Sequence, residues 1–114
     1  MVQTIKPPLS NRICQHAISY WGTENQLDMC VEEFSEGIKA MMKYRRYKHS
    51  EQWRLHCVEE AADISIMIEQ LVLMLSSDEE FRKVREYKLN RLRQMLESQM
   101  QKQTCENDKG MDFL

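Results

Sequence analysis

Apolar residues recur along this chain at intervals of three and four over four long stretches, the spacing of one helix face rather than the alternation of a strand. The first predicted helix runs from about Ser10 to Trp21, entered after Pro7 and Pro8, with Ile13, Ala17 and Trp21 on one face. Gly22 follows where a left-handed C-terminal cap is wanted. Thr23 and Gln26, three residues apart, form a capping-box pattern that opens a second helix. Leu27, Cys30, Val31, Phe34, Ile38 and Met41 mark its apolar stripe. The run from Lys43 to Lys48 then leads to a break near His49 and Ser50, with Ser50 as the N-cap of a third helix reaching about Leu75. Ile64, Ile66, Met67, Ile68, Leu71, Val72 and Met74 surround most of that helix, which predicts a central, buried element. Ser77 and Glu80 repeat the capping-box pattern, and Asp78 and Glu79 suit the positive end of the helix dipole. The fourth helix carries Phe81, Val84, Leu92 and Met95 and fades by about Gln99.

These elements predict an all-α fold, a four-helix bundle over residues 1–99, followed by a polar tail over residues 100–114 pinned by Met111, Phe113 and Leu114. Composition supports this: 3 Gly and 2 Pro in 114 residues starve an all-β fold of its turns. A helical chain this short leaves apolar surface uncovered, so a second copy is expected to complete the bundle, as a homodimer or homotetramer. The formal net charge of −2 argues against nucleic acid as a partner. Cys14, Cys30, Cys57 and Cys105 lack zinc-like spacing or a C-x-x-C pair. With no apolar run of signal-peptide or membrane-spanning length, a reducing, cytoplasmic setting is expected.

The acidic residues change the picture from scaffold to chemistry. Glu33 and Glu36 share one face of the second helix, beside Met29, Gly37 and Ala40, which are not choices for a solvated face. Glu60 and Asp63 share a face of the third helix in line with Met67 and Leu71. Carboxylates in line with an apolar stripe need protons, cations or a metal. Antiparallel packing of the two helices would gather all four around one point, and an all-oxygen set suits Mg²⁺, with Mn²⁺ as a substitute. On the fourth helix, Lys88 lies in the apolar stripe with Arg91 at its edge. Phosphate oxygens would satisfy Lys88; so would snorkelling of its head into water.

Glu32-Glu33-x-x-Glu36, an interval of 23 residues, then Glu60-x-x-Asp63 resembles the signature of the MazG-like all-α NTP pyrophosphatases. Tyr20-Trp21-Gly22-Thr23-Glu24-Asn25-Gln26 and Glu86-Tyr87-Lys88-Leu89-Asn90-Arg91-Leu92 are also similar to that family, so the likeness spans roughly residues 15–96. The resemblance implies Mg²⁺-dependent hydrolysis of a nucleoside triphosphate to monophosphate and pyrophosphate, in nucleotide-pool housecleaning. It implies metal binding by Glu33, Glu36, Glu60 and Asp63, and phosphate binding by Lys88 and Arg91 with Asn90 as a helper. It further implies dimers or dimers of dimers, with sites near subunit contacts.

Other residues divide between chemistry and packing. Trp21, Tyr44, Tyr47 and Trp53 are candidate base-stacking groups, each also suited to core or interface packing. Gln26 is a cap first and a ligand contact second, and His56 lies one turn before Glu60. Two other functions compete: a phosphoribosyl-ATP pyrophosphohydrolase built on the same carboxylate logic, and a non-catalytic helical module for dimerisation or regulation.

Overall fold

The computed structural model describes residues 2–48 and 50–111. It is all-α: helices α1 (Pro7–Trp21), α2 (Thr23–Arg46), α3 (Glu51–Leu75) and α4 (Asp78–Met111), with no strand among the described residues. None of these helices is long and apolar enough to cross a membrane. Two compact units divide the chain, residues 1–77 with α1–α3 and residues 78–114 with α4.

Local chemistry explains most helix ends. Pro7 and Pro8 occupy the first turn of α1, where a missing N–H costs nothing, so the helix starts three residues before the predicted Ser10. Gly22 has φ +91° and ψ 150°, a region open essentially to glycine alone. Its N–H donates to the Ile18 carbonyl at 2.8 Å, and its own carbonyl accepts from the Gln26 N–H at 3.0 Å. One residue thus ends α1 and begins α2. This overturns the capping box expected of Thr23 and Gln26: Thr23 is already the first helical residue, Gly22 is the N-cap, and no side chain caps the end.

Between α2 and α3, Lys48 takes a left-handed conformation, φ +53°, and the predicted break at His49 lies outside the described residues. Ser50 is the N-cap of α3, its Oγ accepting from the Trp53 N–H at 3.3 Å. Replacing Ser50 with alanine should cost about 1 kcal/mol. A thermal melt should fall by roughly 4–8 °C as a result; an unchanged midpoint would contradict the capping role.

In the first unit α2 and α3 form the most extensive pairing, and α1 packs on both. Its core differs from the predicted one. Apart from Met67, the buried side chains are small or polar: Cys14, Gln26, Cys30, Ala40 and Gln70. The row Gln26–Cys30–Gly37–Ala40 faces inward on α2, whereas Val31, Ile38 and Met41 of the predicted stripe are 66%, 58% and 55% exposed. Cys30 of the predicted stripe is buried and Leu27 and Phe34 are half-buried, so the inner face is shifted from the apolar stripe toward Gln26, Gly37 and Ala40. Small side chains permit the close helix approach, and the larger ones are left outside. The same offset holds on α1, where Cys14 is buried while Ile13 and Trp21 are exposed. On α3, only Met67 and Gln70 are buried, so the helix is central in its packing but not covered all round.

In the second unit, α4 continues beyond the predicted end at Gln99 to Met111. Gln99 to Asp108 contains no helix breaker, and its Gln, Met, Lys and Glu residues favour helix, so polarity was no sign of a tail. Thr104 Oγ1 donates to the Met100 carbonyl at 3.0 Å within it. Every side chain from Asp78 to Asp108 is exposed, including Phe81, Val84, Leu92 and Met95. The expected pinning by Phe113 and Leu114, and by the side chain of Met111, lies outside the described residues.

Candidate metal centre

The antiparallel register of α2 and α3 decides which side chains meet. Gln26 Nε2 donates to Gln70 Oε1 at 2.7 Å, and one turn further Cys30 Sγ donates to the Met67 carbonyl at 3.6 Å. The next turn sets Glu33 against Glu60 and Asp63, and the one after sets Gly37 against Ile64. A Cβ at Gly37 would run into Ile64 Cδ1, so the bare backbone lets the two helices approach beside the carboxylates.

Glu33, Glu60 and Asp63 each offer an oxygen within 4.8 Å of the other two. The Glu60 side chain is only 12% exposed, whereas Asp63 is exposed. Its Oε2 is buried and has no hydrogen-bond partner among the described residues. Its Oε1 lies 3.8 Å from His56 Nε2, and His56 Nδ1 lies 3.7 Å from Glu59 Oε2. Desolvation pushes the Glu33 carboxyl above its usual range, reinforced by the charges of Asp63 and Glu60 and then of Glu32 and Glu36. The site concentrates negative charge that no Lys or Arg within it neutralises by a described ion pair.

A buried carboxylate oxygen without a donor, in a group of three acceptors, fits a hard divalent cation. No protein-family model, curated protein or solved structure matches the chain. The chemistry of the site rests on its own atoms.

Of the four carboxylates expected to converge, the structure brings together three. Glu36 stands apart, 48% exposed, with Oε1 3.7 Å from Lys39 Nζ one turn along α2. Gln26 is buried in its amide pair with Gln70 and also accepts from Asn25 Nδ2 at 3.0 Å. It locks the helix register instead of capping. Trp21 is 59% exposed and meets Tyr20 edge-on at 5.5 Å.

Lys88, Asn90 and Arg91 belong to α4 in the second unit. Lys88 Nζ lies 6.0 Å from the Tyr87 ring, and Asn90 Nδ2 donates to the Glu86 carbonyl at 3.0 Å. Arg82, Lys83 and Arg93 each pair with a glutamate four residues away on α4. Sequence reasoning undervalued His56, which reaches Glu60; its position one turn before Glu60 was the available signal.

Proposed function

We propose that this chain is a MazG-like, Mg²⁺-dependent nucleoside triphosphate pyrophosphohydrolase that converts a (d)NTP and water to the (d)NMP and pyrophosphate in nucleotide-pool housecleaning. The observation that carries the reading is the convergence of Glu33, Glu60 and Asp63 around the buried, unpartnered Glu60 Oε2. The resemblance of Glu32-Glu33-x-x-Glu36 and Glu60-x-x-Asp63 to that family supports it.

Glu33, Glu60 and Asp63 would hold the ion, with Mn²⁺ able to replace Mg²⁺. Bound there, the metal supplies charge neutralisation and Lewis-acid polarisation of a phosphoryl oxygen. The protein's own share is placement. His56 Nε2 stands 3.8 Å from Glu60 Oε1, beside the carboxylate but beyond hydrogen-bond length. The family resemblance is what puts forward Lys88 and Arg91, with Asn90, as phosphate-binding residues. Water attacks the α-phosphorus, the α–β anhydride bond breaks, and pyrophosphate leaves. Incubation with a panel of NTPs and dNTPs should give monophosphate and pyrophosphate, abolished by EDTA. Diphosphate and orthophosphate as products would contradict the reaction class.

The reading includes a second copy that completes the bundle. Leu27, Val31, Phe34, Ile38 and Met41 alternate at four and three residues, the spacing of a helix-packing seam, and Val31, Ile38 and Met41 of that seam are exposed. The double variant Val31→Lys, Ile38→Lys should reduce a wild-type oligomer to monomer in sedimentation velocity. A monomeric wild type would contradict this part of the proposal.

A further inference from the structure

One to two turns before Glu60 on α3 lies a cluster of aromatic and cationic side chains. Trp53, in the first turn of α3, stacks on Tyr47 with ring centroids 5.9 Å apart and planes at 13°. Lys43 Nζ sits 4.8 Å from the Trp53 ring centroid, and His56 meets the indole edge-on at 5.6 Å and 72°. Trp53 and His56, with Gln52, Leu55 and Glu59, line an open cleft of about 450 Å³. That volume falls in the range of small-molecule clefts.

Two features tie this cleft to the carboxylates. His56 is shared: its ring forms part of the cleft, while its Nε2 stands 3.8 Å from Glu60 Oε1. Trp53 and Glu60 are seven residues apart on one helix, which puts them on nearly the same face about 10.5 Å apart along the axis. That separation is on the scale of a nucleoside 5′-phosphate. Nor does the buried core of the unit require the indole, since Cys14, Cys30, Ala40 and Met67 form it. An aromatic surface with a cation over it, beside an amide that both donates and accepts, has the composition of a base-recognition site.

We infer that the Trp53 cleft is the base subsite of the triphosphate site: the nucleobase packs against Trp53 and Gln52 reads its edge. The inference rests on the pyrophosphohydrolase reading and selects Trp53 over Trp21 as the base platform. Tyr47 and Lys43 hold the indole in place at the end of α2.

The test separates base from phosphate. Binding of the α,β-imido analogues of the four dNTPs, and of inorganic tripolyphosphate, is measured with Mg²⁺ present for the wild type, Trp53→Ala and Trp53→Phe. Stacking on one aromatic predicts that Trp53→Ala weakens at least one analogue by roughly 10- to 100-fold. Tripolyphosphate should bind within about twofold of wild type, because the carboxylates are intact, and Trp53→Phe should recover most of the analogue affinity. Unchanged analogue binding in Trp53→Ala would overturn the inference by placing the base elsewhere. Equal weakening of analogue and tripolyphosphate, unrescued by phenylalanine, would overturn it by making Trp53 a support of the fold. A wild type that binds tripolyphosphate but no analogue more tightly would also overturn it. A wild type that binds neither probe would sink the pyrophosphohydrolase reading itself.

Discussion

Glu60→Gln should melt at a higher temperature than the wild type without metal, and should lose the wild type's stabilisation by Mg²⁺. Both effects come from one arrangement. Three carboxylates stand with oxygens within 4.8 Å of one another, and Glu60 Oε2 is buried without a donor. Leaving such an atom unsatisfied costs about 1–3 kcal/mol. Glutamine has nearly the same shape, carries no charge, and can donate to Glu33 or Asp63. The metal-free protein is relieved of repulsion, with an expected gain of several degrees. An ion that binds only the folded wild type at ten times its Kd adds about 1.4 kcal/mol, and the variant forfeits that.

The pH dependence has a definite sign. The Glu33 carboxyl is raised above its unfolded value, chiefly by desolvation and then by Asp63 and Glu60. A raised carboxyl contributes stability that is fully present below its unfolded pKa and is lost as pH rises through its folded pKa. In melts across the acid-to-neutral range, the metal-free wild type should therefore lose this contribution as pH rises, and Glu33→Gln should not. Parallel pH profiles, or a Mg²⁺ response retained in Glu60→Gln, would contradict a shared carboxylate centre.

The second large effect is on turnover. Glu60→Gln and Asp63→Asn should each lower kcat by roughly a thousandfold or more, because transition-state stabilisation worth several kcal/mol is lost with the ion. Glu36→Gln should cost less, on the order of tenfold, since Glu36 lies outside the group and already pairs with Lys39. Steady-state kinetics on folded variants would check the order. Equal losses at Glu36 and Glu60 would place Glu36 in the metal shell; full activity in Asp63→Asn would remove that residue from it.

Helix count and type were legible because the three-four periodicity is long and the stop signals at Gly22 and Ser50 are strong. The carboxylate pairing was legible in part: an antiparallel hairpin and the spacing of three on α3 bring Glu60 and Asp63 to Glu33, but the same spacing on α2 leaves Glu36 outside the group. The inward faces were legible in part. Cys30 belongs to the predicted stripe, and Gly37 and Ala40 stood out as unsuited to a solvated face, but ranking by hydrophobicity also chose Val31, Ile38 and Met41, which are exposed. Gln26 was misjudged for a related reason: its partner Gln70 is 44 residues away, and a local capping pattern carries no information about it. The extent of α4 was missed because a polar helix and a polar tail share a composition.

The most direct test of the central claim is phosphorus NMR of each nucleoside triphosphate incubated with the protein and Mg²⁺, beside the same reaction with Glu60→Gln. Stoichiometric nucleoside monophosphate and pyrophosphate from at least one nucleotide, absent with the variant, is the expected result. No cleavage of any nucleotide by folded wild-type protein, or cleavage that Glu60→Gln supports equally well, would contradict the assignment of Glu33, Glu60 and Asp63 as a pyrophosphohydrolase centre.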